Sequence, residues 1–178
     1  MASEYLERTP TSSGNRKVFT LSAWVKNNNP AGTNQYLFGA FSNGSNGGYQ
    51  NTICISDNED RANYFQNTNG TVNSYYKTGA LYRDAGNWTH ICTAIDTTEG
   101  QGVDRAKIYI NGVRNKSLSI TTLTSEGHKA SFNSADVRHM IGNWPGGGTD
   151  QISQLFDLFW VDGQALTPDV FGFYKDGD

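Results

Sequence analysis

The first side chains to test for chemistry are acids. Hydrolysis of a glycosidic bond takes two carboxyl groups flanking it, roughly 5 to 9.5 Å apart. The chain has five glutamates, Glu4, Glu7, Glu59, Glu99 and Glu126, and none lies in a good strand pattern. The one acidic cluster, Asp57-Asn58-Glu59-Asp60, reads as a loop. No serine sits in a Gly-x-Ser-x-Gly elbow. His90 lies in a strand-like run, where packing and hydrogen bonding are its expected role; His128 and His139 are isolated. No pair of His or Cys residues has zinc-site spacing. The glycines at 146–148 lead into neither Lys-Ser/Thr nor a helix, so they make no phosphate cradle. No catalytic constellation emerges, and a non-enzyme is expected.

Binding chemistry is better supplied. Sugars are held by exposed rings that stack on pyranose faces and by Asn or Asp side chains that fix hydroxyls. Trp144 is the first candidate, in the loop Asn143-Trp144-Pro145-Gly146, with Asn143 beside it. Tyr75, Tyr76 and Tyr82 could line a groove. Trp24, Trp88 and Trp160 fall inside strand patterns and are expected in the core or on a sheet face.

The elements that must position these residues are strands. Val18–Lys26 alternates: Phe19, Leu21, Ala23 and Val25 share one face, Thr20, Ser22, Trp24 and Lys26 the other. Further strands are predicted over 36–41, 49–56, 63–65, 72–77, 88–96, 106–110, 116–120, 137–141 and 154–161. Asn69-Gly70 and Asn111-Gly112 mark hairpin turns, because both turn positions must accept positive φ. Ten or so short strands point to an all-β, two-sheet antiparallel sandwich or jelly roll. One helical turn is expected near the end, with Thr167 as N-cap, Pro168 first in the helix and Asp169 in its first turn. Cys54 and Cys92 sit in apolar runs and read as buried free thiols, with a disulfide between them as the alternative.

Composition narrows the class. The 178 residues fit one domain, 1–178, with a core of about 5–172. Net charge is −3 and pI about 5.5, with no basic run, which argues against nucleic acid. No apolar stretch is long enough to span a membrane. The start lacks the basic-then-apolar form of a signal peptide, so synthesis in a cytoplasm is expected. The Asn-x-Ser/Thr sites at Asn43, Asn69, Asn87 and Asn115 are discounted on that ground.

Ordered blocks carry a resemblance. Tyr5-Leu6-Glu7-Arg8-Thr9-Pro10 precedes Ser13-Gly14-Asn15-Arg16-Lys17. Trp88-Thr89-His90-Ile91 and Ile108-Tyr109-Ile110-Asn111-Gly112-Val113 follow, and then Val161-Asp162-Gly163-Gln164-Ala165-Leu166-Thr167-Pro168. Together they resemble the laminin-G-like, concanavalin A-like jelly-roll domain, in the version found in tail-fibre and other virion proteins of tailed bacteriophages. The resemblance implies a virion surface protein, a tail-fibre component or capsid-decorating fibre. Its expected partners are other virion proteins, a homo-oligomer or symmetric array, and a cell-surface glycan. A free-standing carbohydrate-binding module is the alternative, and a glycoside hydrolase a more remote one. Many laminin-G-like domains hold calcium at the sandwich rim. The matching candidates are Asp57 and Asp60, then Asp150.

Overall fold

The computed structural model describes residues 5–26, 34–42, 48–84, 86–143 and 154–172. Two antiparallel sheets pack face to face. The larger has seven strands in the order β1 (Leu6–Arg8), β11 (Arg138–Ile141), β3 (Gln35–Ser42), β4 (Tyr49–Ser56), β5 (Asn63–Thr68), β6 (Thr71–Thr78) and β10 (Leu118–Thr122). The smaller runs β12 (Gln154–Asp162), β2 (Val18–Lys26), β7 (Trp88–Asp96), β8 (Ala106–Ile110) and β9 (Val113–Arg114). The expected all-β sandwich is the fold. β2, β4, β7 and β8 begin and end where the alternation places them. β1 and β9 go beyond it, being too short to carry a period of their own. Among the described residues the helical pieces are two 3₁₀ turns, Gly102–Asp104 and Pro168–Val170. The second is the expected C-terminal turn, with Pro168 in its first positions, but Thr167 makes no side-chain cap bond.

Alternation builds the core. Phe19, Leu21, Ala23 and Val25 of β2 face Leu37, Ile53, Ile55, Tyr64 and Tyr76 of the large sheet, all essentially without solvent exposure. Ile91, Ile95 and Ile108 extend this layer, and Trp160 packs against its edge. Both predicted hairpin turns form, with φ of 51° and 81° at Asn69 and Gly70 and 49° and 78° at Asn111 and Gly112. Cys54 and Cys92 are buried thiols outside any disulfide, one on each sheet.

The terminal blocks meet in a polar clasp. The Asp162 carboxylate accepts from Asn15 N (2.8 Å) and from Asn133 Nδ2 (2.9 Å). Asn15 Oδ1 accepts from the backbone of Lys17 and Val18, each at 2.9 Å. A Cβ on Gly14 would come within 2.5 Å of Asp162 Oδ2, so a side chain there would displace the Asp162 carboxylate from the clasp. Residues 13–17 and 161–163 are therefore framework, tying the entry of β2 to the exit of β12.

Candidate functional site

The outer face of the five-stranded sheet carries the densest arrangement of exposed rings. Register fixes its rows. Trp88 stands opposite Lys26, and Phe156, Trp24 and His90 form the next row. Phe159, Ser22, Cys92, Tyr109 and Arg114 form the third. A bulge in β12 aims two of these rings. Asp157 and Leu158 together oppose the single residue Ala23, and Asp157 takes φ 48°. The extra residue turns Leu158 and Trp160 toward the core while Phe156 and Phe159 stay outside, at 60% and 46% exposure.

The segment after β12 then crosses this face and covers half of it. Thr20 Oγ1 donates to Gln164 O (2.7 Å) and accepts from Leu166 N (2.8 Å). Phe171 packs on Cys92, Ala94 and Tyr109 and lies 5.8 Å from Phe159, ring to ring. Thr20, Ser22 and Cys92 are thereby sealed from solvent. Trp24, Trp88 and Phe156 stay on the open half, with Trp88 42% exposed and its ring 6.4 Å from Phe156.

Among the described residues, two hollows lie on this surface and a third opens beside them at the end of the sandwich. The largest, about 690 Å³, is lined by Trp24, His90, Tyr109, Arg114, Asp169 and Phe171. A second of about 440 Å³ lies among Trp24, Trp88 and Phe156. A third of about 500 Å³, at the sheet's end, runs from Trp88 past Asn87 to Tyr82 and Leu81. Trp24 is shared by the first two and Trp88 by the last two, so neighbouring hollows meet at an indole ring.

Electrostatics in this region is muted. His90 Nε2 lies 2.8 Å from Ser22 Oγ, and its ring is 5.1 Å from that of Trp24. Burial pushes the His90 pKa down, so the imidazole is neutral at pH 7. The Ser22 hydroxyl is fully buried, and the His90 ring pairs with Ser22 and Trp24 rather than with a carboxylate. Burial, helped by Asp169, pushes the Cys92 thiol up to about 12. Arg114 is ion-paired with Asp104, whose carboxyl is held below its usual range by that hydrogen bond. Asp169 is the one acid among the described residues lining the largest of these hollows.

The residues singled out from sequence scatter over the molecule. Tyr75 and Tyr76 are consecutive in β6 and so point to opposite faces. Tyr75 is half-buried on the outside of the large sheet, edge-on to Phe65 at 5.3 Å, with Lys77 Nζ 5.0 Å from its ring centre. Tyr76 corrects the groove expectation. It has 0% exposure, and its hydroxyl donates to Gly102 O (2.8 Å) and accepts from Thr124 N (3.1 Å). Tyr82 packs partly against the core, accepts from Asn115 Nδ2 (3.2 Å) and lines the end hollow. Asn143 is 4% exposed, a buried residue rather than a rim residue. Trp144 and Asp150 lie outside the described residues.

The acidic loop does not fit a calcium cage. Asp57 Oδ1 accepts from Glu59 N (2.9 Å) and Arg61 N (3.0 Å), and Oδ2 from Asn63 Nδ2 (3.3 Å). Asp60 is ion-paired with Arg83 at 2.6 Å. Both carboxylates are buried, and Glu59 is held by Lys77 at 2.8 Å. Calcium takes six to eight oxygens, whereas here basic groups and backbone N–H donors use them. Among the described residues no three His, Cys, Asp or Glu side chains are grouped for a metal.

Trp24 and Trp88 are the sheet-face residues that alternation predicts. Their joint surface with Phe156 is not visible in sequence. The available sign was a tryptophan on the otherwise polar face of β2.

Comparison with known proteins places the architecture. The laminin-G family described as the Concanavalin A-like lectin/glucanases superfamily matches residues 2–170. The chain belongs to that family. No curated protein sequence matches it. Among solved structures it is similar to the heptameric SAP-like pentraxin of Limulus polyphemus, with TM-score 0.59 and 20% identity over 94% of this chain and 73% of that one. The CBM40 of Ruminococcus gnavus IT-sialidase, bound to α2,3-sialyllactose, gives TM-score 0.60 and 16% identity, covering 94% and 98%. Domains LG4-5 of the mouse laminin α1 chain give 0.57 and 17%, covering 94% and 41%. At these identities the likeness is one of fold.

Proposed function

We propose that this laminin-G-type sandwich is a non-catalytic, glycan-binding domain carried on the surface of a bacteriophage virion. Its binding surface is the open half of the five-stranded sheet. One observation carries the reading. Trp24, Trp88 and Phe156 are gathered on strands around a 440 Å³ hollow, and Trp24 also borders the neighbouring 690 Å³ hollow, which offers His90, Arg114 and Asp169. Flat rings beside a few polar groups are what a sugar's apolar face and its hydroxyls require. The Ruminococcus CBM40, a fold neighbour, is bound to sialyllactose, which supports a glycan role for such a sandwich. The buried Ser22 hydroxyl, and Asp169 as the single acid among the described residues of the large hollow, support a binding rather than a hydrolytic role. The virion assignment rests on the sequence blocks at 5–10, 13–17 and 161–168. Their clasp is structural, so they bear on lineage and not on ligand.

Glycan-array binding by the purified protein, repeated with Trp88→Ala, tests the ligand. Trp88 is an exposed ring, so its truncation leaves the core intact. Removal of a central aromatic anchor is expected to weaken binding by about 2 kcal/mol, roughly thirtyfold. Equal binding by both proteins removes this surface from the site. Mass spectrometry of purified particles tests residence, and absence from every particle sinks the virion reading. Phe156 and Phe159 lie on the edge strand β12, which favours a second use of the same face against a neighbouring subunit in a symmetric array. Sedimentation at increasing concentration, with and without Phe156→Ser, measures that contact.

A further inference from the structure

We infer that the ligand is an uncharged, extended glycan chain lying across the five-stranded sheet from the end hollow, over Trp88 and Trp24, into the large hollow. This rests on the glycan-binding reading above and specifies its substrate class. The extent follows from continuity. Trp88 borders both the end hollow and the central one, and Trp24 borders both the central and the large one. A single sugar ring occupies part of one hollow, whereas a chain reaches all three and passes two indole rings and Phe156 on the way. The charge follows from pairing. The two arginines that line these hollows, Arg83 and Arg114, are ion-paired with Asp60 and Asp104 of the same chain. Lys26, opposite Trp88, also has a partner within the protein. Asp84 and Asp169 add negative charge to the walls. An acidic sugar therefore meets, in Arg83 and Arg114, guanidiniums whose charge Asp60 and Asp104 already offset, together with two further carboxylates.

Titration calorimetry with neutral oligosaccharides of one to six units, and with sialylated and uronic-acid chains of matched length, tests the inference. Affinity for neutral chains is expected to rise roughly two- to tenfold per unit while each added unit reaches another ring. Matched acidic chains are expected to bind more weakly. Asp104→Asn, a change in an exposed 3₁₀ turn, releases Arg114 and is expected to raise acidic-chain affinity several-fold relative to neutral. Trp88→Ala is expected to erase the length dependence while leaving the shortest ligands bound. Acidic chains binding as tightly as neutral ones overturn the charge assignment. Affinity that is flat beyond one unit overturns the extended path. Both results leave the glycan reading standing. Binding of no glycan of any length or charge overturns the glycan reading itself.

Discussion

Tyr64 and Tyr76 stand opposite each other on β5 and β6, ring centres 6.3 Å apart, both with 0% exposure. Their hydroxyls differ. That of Tyr64 is buried with no hydrogen-bond partner, while that of Tyr76 bonds Gly102 O and Thr124 N. Removing the same atom from each is expected to change stability with opposite signs. A buried polar group without a partner costs about 1–3 kcal/mol, so Tyr64→Phe is expected to stabilise by about 1 kcal/mol or more. Tyr76→Phe loses one bond worth about 1 kcal/mol and leaves the buried Thr124 N–H without its partner, for a total near 3 kcal/mol. For a chain of this size these correspond to melting shifts of about 2–4 °C upward and about 6–12 °C downward. Urea unfolding at constant m-value measures both. Glycan affinity is unchanged in either variant, because both rings face the core. A Tyr64→Phe protein destabilised by about 1 kcal/mol or more, with m unchanged, refutes the reasoning by showing that the hydroxyl is satisfied, for example by an ordered water.

Arg105 is 9% exposed and donates to Glu99 O (2.7 Å), Thr124 O (2.7 Å) and Gly100 O (3.0 Å). Arg105→Met is expected to cost about 3–5 kcal/mol, and Arg105→Lys to recover little of it, since one ammonium nitrogen cannot reach three carbonyls that Arg105 meets with three separate guanidinium nitrogens; denaturant midpoints compare the two. Burial pushes the pKa values of His90, His128 and His139 down. His139 accepts from Asn133 N at Nε2 (3.0 Å), so Nδ1–H donates to Val137 O (2.7 Å) and the neutral ring is the one that fits. The unfolded chain takes up protons near pH 6.5 while these folded sites resist until lower pH. Stability is therefore full above about pH 6.5 and falls as the pH drops from there toward 5. Melting temperatures across pH 7.5 to 5 that stay level or rise contradict this. Cys54 and Cys92 are both buried and neither is in a disulfide, and the Cys92 thiol is pushed up to about 12. Neither is expected to react with a thiol reagent in native protein at pH 8, and both at once after denaturation; fast labelling or a disulfide by mass spectrometry contradicts it.

Period-two patterning made β2, β4, β7 and β8 legible to the residue, because each sends one alternate set of side chains to the core and a slip of one position would exchange it for the other. The Asn-Gly turns were equally plain, since few other residues accept positive φ at both positions. The candidate site was hardly legible. Tyr75 and Tyr76 looked equivalent as tyrosines in an exposed hairpin, yet their adjacency in a strand sends one inward. Asp57 looked like a cation ligand until the turn it caps had used its oxygens.

Sequence alone therefore determined the strands, the antiparallel sandwich and the family, because these depend on local alternation, turn chemistry and ordered blocks. Tertiary structure alone decided where binding can occur. Trp24, Trp88 and Phe156 come from three strands far apart in sequence, and they share a surface only through register. The β12 bulge holds Phe156 and Phe159 outward, and the crossing segment after it covers one half of the sheet and leaves the other open. Pairing between distant strands has no signature in either strand by itself, which is why the fold could be read along the chain and the surface could not.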